Sequence, residues 1–224
     1  MSAAESTALE NLVNQIAHDV RNHAFTMGLQ AEMGQRRTGA APEVKAHFDA
    51  IVRQVDALSR YLDQLLLYGR PVAVAPVPVE PAALVRAQVD LLRGHIGSAA
   101  LDIRVEADPA GRKATWDARA FGCALRALLD NAVESATPPP PVAVVVRDAG
   151  GHAEVEVRDA GPGIEPEVLA RLGVPMAVRR AGGAGLGLAI ARKMVEALGG
   201  RLEIESAATG VTARLVLPWE APAA

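Results

Sequence analysis

The chain has 224 residues, of which 50% are apolar and 22% charged, with a formal net charge of −3. This length allows one or two domains, each with its own core. Aromatic residues make up only 3% of the chain, which argues against a base-stacking surface, and the slight acidity argues against binding a nucleic-acid backbone. The single cysteine, Cys123, excludes an internal disulfide and is typical of a reducing compartment. No apolar run reaches the roughly 18 residues of a membrane span, and no signal-peptide pattern is present, so we expect a cytoplasmic protein without nucleic-acid or membrane partners.

Two helices are predicted before residue 70. Apolar positions recur at alternating steps of three and four residues, first at Leu9, Val13, Ile16, Val20, His23 and Met27, then at Phe48, Ile51, Val55, Leu58, Leu62 and Leu65. Such stripes predict helices that pack as in a coiled coil. A lone hairpin leaves its apolar face half covered, so we expect a homodimer in which two hairpins form a four-helix bundle. Packing of the hairpin on its own C-terminal domain is the alternative.

A proline-rich stretch follows, and the pattern then changes. Residues 71–81 read PVAVAPVPVEP, which cannot continue a helix and favours extended backbone. We therefore predict a helical domain at 1–70, a flexible linker at 71–80 and a second domain at 81–224. The second domain is expected to contain helices at 81–94, 116–136 and 186–198, and strands at 101–107, 142–147, 153–159, 201–205 and 211–217. Antiparallel strand pairs with helices between them predict an α/β sandwich with helices on one face, and hence an α+β chain.

The first predicted helix carries two histidines with different surroundings. At 100° per residue, His18 lies about 200° from the apolar stripe, and Asn22 shares its exposed face. His23 falls on the stripe and is expected to be a core or interface residue. If Asp19 accepts the proton of one imidazole nitrogen of His18, the other nitrogen is nucleophilic. The amide of Asn22 could orient a water molecule for hydrolysis of a nearby phosphoryl group.

The string His18-Asp19-Val20-Arg21-Asn22 resembles the H-box of two-component sensor histidine kinases. In that pattern an acid follows the histidine, and threonine or asparagine stands four positions after it. Proline is common at the next position, where this chain has His23. The resemblance implies that His18 is the phosphoacceptor.

Three later segments resemble the boxes of the Bergerat-type ATPases, in family order. They are LLDNAVESA at 128–136, DAGPGI at 159–164 and GGAGLGL at 182–188. The resemblance implies that Asn131 offers an amide oxygen to Mg²⁺ and that Asp159 accepts a hydrogen bond from the amino group of adenine. It also implies that glycines let the backbone approach the base, and that a helix N-terminus receives the phosphates of ATP. The residues in these last two roles are Gly161, Gly163, Gly183, Gly185, Leu186 and Gly187.

The chain departs from the family pattern at several positions. Ala127 stands where kinases have another asparagine and where ATP-hydrolysing relatives have a glutamate base, so water activation is not expected there. Glu134 stands where kinases often have a cation. The segment at 165–181, where a lid is expected, is short and lacks the usual phenylalanine; its cations are Arg171, Arg179 and Arg180.

Taken together, the motifs predict a histidine kinase core. The γ-phosphoryl group of ATP·Mg²⁺ would pass to His18 and then to an aspartate of a response-regulator receiver domain, with the linker letting the ATP site reach the helix. Only 17 residues precede His18, so a separate sensor protein is expected to supply the input. The alternatives are a histidine phosphotransferase relay with a degenerate nucleotide domain, and an anti-sigma-type serine kinase or binding module.

Overall fold

The computed structural model describes residues 17, 20–34, 36, 42–96, 101–107, 112–172 and 185–220. The described residues up to Pro71 form one compact unit, and those from Val72 onward form a second. Within these residues, no helix combines the length and the apolar character needed to cross a bilayer.

The first unit is a pair of helices. Helix α1 covers residues 20–34 and helix α2 covers Pro42–Gly69. Ala24 is fully buried on α1, and Ala17 packs in a cluster with Leu62 and Leu66 of α2. Small side chains therefore line the face of α1 that meets α2, which lets the two helices approach closely.

Two glycines of α1 show how close this packing is. A Cβ atom added at Gly28 would lie 3.3 Å from Val55, and one added at Gly34 would lie 2.5 Å from the ring of Phe48. A contact of 2.5 Å requires the ring to move, so a side chain at Gly34 cannot be added without repacking.

The face of α1 that is buried within the single chain includes alanines that the predicted stripe left out, while Val20 of the stripe packs against the cluster of Ala17, Leu62 and Leu66. His23 is exposed and Met27 is 49% exposed, whereas Ala24 and Ala31 are buried. The prediction counted the larger apolar side chains and passed over alanine, whose small side chain makes a weak hydrophobic signal. Alanine nevertheless fits the narrow space between two close helices.

The second unit is built on a mixed five-stranded sheet. Its strand order is β2-β4-β5-β7-β6, with bounds Ile103–Ala107 for β2, Val142–Asp148 for β4, His152–Asp159 for β5, Arg201–Ala207 for β6 and Gly210–Pro218 for β7. The β2–β4 pair is parallel and the other three pairs are antiparallel. The expectation of antiparallel pairs throughout is therefore wrong for β2 and β4. The chain crosses over between these two strands through a helix, which is the connection that parallel strands require.

Helices cover one face of this sheet. They are α3 at Pro81–Ile96, α4 at Ala118–Val133 and α6 at Gly187–Ala197. The single turn α5 at Pro166–Leu169 follows β5 and has no buried residue. The alternate residues of β4, β5 and β7 that face the helices are buried, namely Val142, Val144, Val146, Ala153, Val155, Val157, Ala213, Leu215 and Leu217. Leu125 and Leu129 of α4 are fully buried as well. The predicted two-layer arrangement with helices on one face is confirmed.

A second, two-stranded sheet was not predicted. Strand β1 at Val77–Val79 pairs antiparallel with β3 at Ala114–Trp116. The ring of Trp116 stacks on Phe121 with 5.1 Å between centroids and on Trp219 at 6.4 Å, and its indole N–H donates to the carbonyl of Pro218 at 2.6 Å. Part of the proline-rich stretch is thus a strand of the second unit.

Asp117 joins this stretch to α4. One carboxylate oxygen caps α4 by accepting the backbone N–H groups of Arg119 and Ala120, both at 2.9 Å. The other oxygen accepts the backbone N–H of Ala75 at 2.8 Å. Burial raises the pKa of the Asp117 carboxyl, but the three N–H donors and the Arg119 charge outweigh it, so this pKa lies below the usual aspartate value.

Replacing Asp117 by alanine is expected to lower the free energy of unfolding by about 1 kcal/mol at pH 7, as for other N-cap losses. Asparagine keeps a capping oxygen, so Asp117→Asn is the matched control and should lose less. Because the folded-state pKa is depressed, the charge contributes stability above the unfolded value of 3.8, and this contribution disappears as the pH falls through the folded pKa. Urea unfolding at pH 7 and at pH 3 measures both effects. A difference between wild type and Asp117→Asn that grows on acidification would contradict this account.

Candidate functional site

The C-terminal end of α4 brings two polar side chains to the site. The buried face of α4 fixes the helix against the sheet, and Asn131 and Ser135 follow one turn apart. Asn131 points toward the start of α6, since a Cβ atom added at Gly187 would lie 3.9 Å from the amide nitrogen of Asn131 and 4.0 Å from Ala127. The predicted pair of Asn131 and Gly187 is therefore close in space.

The N-terminus of α6 is suited to binding an anion. The N-cap residue, Leu186, is fully buried and its side chain makes no capping hydrogen bond. The preceding Gly185 has φ +70°, a conformation that glycine adopts readily. Backbone N–H groups in the first turn of a helix have no intrahelical acceptor, and the helix dipole adds positive potential there. A phosphate group at this end would meet both the N–H groups and the amide of Asn131.

The carboxylate of Asp159 lies at the end of β5 and is held by its neighbours. Its Oδ1 atom accepts the backbone N–H of Gly161 at 2.9 Å and the hydroxyl of Ser135 at 3.5 Å. A Cβ atom at Gly161 would lie 2.5 Å from the Ser135 hydroxyl and 2.6 Å from Oδ1. Glycine at 161 is therefore required for the carboxylate to keep this orientation.

The loop after β5 packs against the end of β6. Gly163 has φ +76°, and a Cβ atom there would lie 2.1 Å from the carbonyl oxygen of Ala207. The backbone N–H of Ile164 donates to the hydroxyl of Ser206 at 2.7 Å, and this hydroxyl donates in turn to the Ile164 carbonyl at 3.3 Å. The backbone of this loop thus lies directly against the β6–β7 hairpin.

Helix α4 connects the two ends of the site. Asn131 lies beside Gly187 at one end, and Ser135 lies beside Asp159 and Gly161 at the other. The predicted residues of the second unit are therefore brought together in one region. Gly183, Arg179 and Arg180 are outside the described residues. Arg171 is described and is exposed.

Of the predicted catalytic residues on the first helix, Asn22 alone is described. It is exposed, and its backbone carbonyl accepts the hydroxyl of Thr26 at 2.9 Å. His18 and Asp19 lie outside the described residues.

Two residues of the site were not singled out from the sequence. Ser135 could have been, because it lies within the segment at 128–136 that was already compared with the ATPase boxes. Ser206 carries no local signal, since its partner Ile164 is 42 residues away.

The donor set suits a magnesium ion that is bound mainly through a nucleotide. Mg²⁺ prefers oxygen ligands and keeps several waters, so one or two protein oxygens suffice when phosphates supply the rest. The side-chain amide of Asn131, which lies beside the α6 N-terminus, has one oxygen that could fill this role. Within the described part of the chain, no group of three or more His, Cys, Asp or Glu side chains is arranged to hold a metal.

Residues 117–221 match the family model described as histidine kinase-, DNA gyrase B- and HSP90-like ATPase. The nitrogen regulation protein NtrY of Azorhizobium caulinodans is 31% identical over 242 residues, covering 100% of this chain and 30% of that protein. The sensor histidine kinase ZraS of Klebsiella oxytoca is 30% identical over 201 residues, covering 89% of this chain and 44% of that protein. The chain thus spans less than half the length of these two curated relatives.

Two solved structures share the fold. Full-length ShkA in complex with AMPPNP superposes with a TM-score of 0.78 at 20% identity, covering 96% of this chain and 47% of that one. Histidine kinase ThkA in complex with the response regulator protein TrrA superposes with a TM-score of 0.69 at 22% identity, covering 95% of this chain and 62% of that one.

Proposed function

We propose that the chain, whose residues 117–221 match the histidine kinase-like ATPase family, is an ATP-dependent protein-histidine kinase of the two-component sensor type, with His18 as its phosphoacceptor. The observation that carries the proposal is the arrangement around α4, where Asn131 faces the N-terminus of α6 and Asp159 lies against Gly161. A nucleotide site needs two such regions, one that binds the anionic phosphates and one that binds the base.

In this proposal the adenine amino group donates to the carboxylate of Asp159, which is oriented through its Oδ1 atom. The backbone at Gly161 and Gly163 lies close to the base because neither residue carries a side chain. The phosphates meet the first N–H groups of α6, preceded by Gly183, Gly185 and Leu186. Asn131 would hold Mg²⁺, whose charge, when the ion is bound, offsets that of the phosphates.

The chemical step is transfer of a phosphoryl group to nitrogen. The unprotonated imidazole nitrogen of His18 attacks the γ-phosphorus of ATP, so that an N–P bond forms, the bridging O–P bond breaks, and ADP leaves. Asp19 hydrogen-bonds the other imidazole nitrogen and favours the nucleophilic tautomer. Asn22, which is exposed on α1, orients water when the phosphoryl group is later hydrolysed. The alanine at 127 favours transfer over ATP hydrolysis, since no carboxylate base stands there.

The proposal extends to partners and location. The phosphoryl group passes from His18 to an aspartate of a response-regulator receiver domain, which is supported by the complex of ThkA with a response regulator. The chain works as a homodimer through its helical hairpin, in the cytoplasm.

Incubating the purified chain with γ-labelled ATP and Mg²⁺ tests the proposal. We expect acid-labile, base-stable label on the wild type, none on His18→Ala, and most of it on His23→Ala. The second variant is the matched control, because His23 is the next histidine along the chain and is exposed. Label that survives His18→Ala, or equal loss in both variants, would reject the assignment. If the wild-type protein does not bind ATP at millimolar concentration, the result would favour the alternative of a phosphotransferase relay.

A further inference from the structure

We propose that Ser206 is a positioning residue of the nucleotide site, which holds the loop after β5 in the shape that receives the base. This inference rests on the proposed nucleotide binding and deepens it. Ser206 lies on β6, far along the chain from the motifs considered above, and does not itself belong to them.

The contact between Ser206 and the loop is reciprocal. The hydroxyl accepts the N–H of Ile164 at 2.7 Å and donates to the carbonyl of the same residue at 3.3 Å. One side chain thus satisfies both backbone polar groups of one residue, as a neighbouring strand would. The Ser206 hydroxyl also lies 3.3 Å from the position of a Cβ atom at Gly163, so it packs against the glycine as well.

The loop needs such an anchor because its own backbone has little regular structure. Residues 160–165 lie between the end of β5 and the single turn α5 and belong to no helix or strand. The start of the loop is tied by the N–H of Ala160, which donates to the Pro141 carbonyl at 3.1 Å. Gly163 contributes no side chain to pack against the rest of the protein. Its positive φ causes glycine no steric strain, but fixing a glycine in one conformation costs more conformational entropy than fixing any other residue. The Ser206 hydrogen bonds therefore fix the middle of the loop.

The Ser206 hydroxyl can be removed without disturbing the pairing of β6 in the sheet. Strand β6 is at one end of the strand order and pairs through its backbone with β7, where Ser206 lies opposite Val211. Removal of the Ser206 hydroxyl leaves that backbone pairing intact. It releases Ile164, which is three residues from Gly161, whose N–H holds the Asp159 carboxylate. The expected loss is therefore in nucleotide affinity rather than in folding.

The first test uses the nucleotide-free protein. Hydrogen exchange at the Ile164 amide is expected to be at least tenfold faster in Ser206→Ala than in wild type, because the amide loses its acceptor. Ser206→Thr keeps the hydroxyl and should restore slow exchange. Thr212→Ala, which removes a hydroxyl from the same hairpin opposite Glu205, is the control and should exchange as wild type does. Equal exchange in Ser206→Ala and wild type overturns the proposal.

The second test measures the affinity for ADP by calorimetry. We expect Ser206→Ala to bind about tenfold more weakly, with a urea midpoint within the range of the Thr212→Ala control, and Ser206→Thr to recover the affinity. Unchanged affinity in Ser206→Ala, or failure of Ser206→Thr to recover it, overturns the proposal. Absence of ADP binding by wild type instead overturns the proposed function, while the exchange experiment still tests the Ser206 contact by itself.

Discussion

Replacing Asp159 by asparagine is expected to weaken ATP binding about 100-fold while leaving the protein folded. The asparagine oxygen can take the position of Oδ1 and keep the bonds from Gly161 and Ser135. The amide nitrogen then stands where the wild type has its second carboxylate oxygen. A donor would face the adenine amino group, which is itself a donor, and the loss of the charge removes the stronger form of the hydrogen bond.

Calorimetric titration with ATP and with GTP measures this effect. We expect the preference for ATP over GTP to shrink together with the affinity for ATP, because in the proposed function the carboxylate selects the amino group of adenine. Asp90→Asn is the matched control, since Asp90 is on the surface of α3 and 73% of its side chain is exposed. Wild-type affinity in Asp159→Asn would show that the base lies elsewhere.

Replacing Glu156 by glutamine is expected to lower the free energy of unfolding by about 3 kcal/mol. Glu156 is on the face of β5 opposite the helices, and its side chain is 0% exposed. It is ion-paired with Arg147 and Arg214, both at 2.7 Å, and with Arg158. Glutamine has nearly the same shape but one acceptor fewer and no charge, so three guanidinium groups lose their common counter-charge.

Urea unfolding at pH 7 measures the loss, with Glu203→Gln as control. Glu203 is 38% exposed and pairs with Arg201 at the surface, so its replacement should cost less than about 0.5 kcal/mol. Equal stability of the two variants would show that the arginines find water or other partners once Glu156 is neutral.

The parts of the fold that could be predicted from the sequence are those with local signals. Strand β4 is a run of apolar residues and β5 alternates apolar and polar residues. The two are joined by a glycine turn, and α6 begins at a glycine cluster, so each was found close to its observed bounds. The short β1–β3 pair was missed because each strand has three residues and too little periodicity to recognise. The parallel pairing of β2 with β4 was missed because strand direction depends on the crossover of α4 rather than on the residues of either strand.

In the candidate site, too, the residues with a local sequence signal could be predicted, and those that depend on distant contacts could not. Asn131, Asp159 and the glycines that follow them were predicted as site residues because their spacing along the chain is characteristic, and their roles stay predictions. Ser206 was not, since its partner comes close only when β6 and β7 join the sheet. On the first helix, the buried alanines at positions 24 and 31 were not singled out, because their small side chains carry a weak hydrophobic signal.

The alanine and glycine face of α1 has an energetic consequence for the hairpin. Burying a methyl group removes far less apolar surface from water than burying a leucine side chain, so this contact gains little free energy for its length. Large apolar groups such as Phe25, which is 72% exposed, remain in water in a single chain. If the hairpins pair in a homodimer as proposed, the melting temperature of these helices should rise with protein concentration. The fraction of hairpins that is folded would then depend on how much of the protein a cell makes.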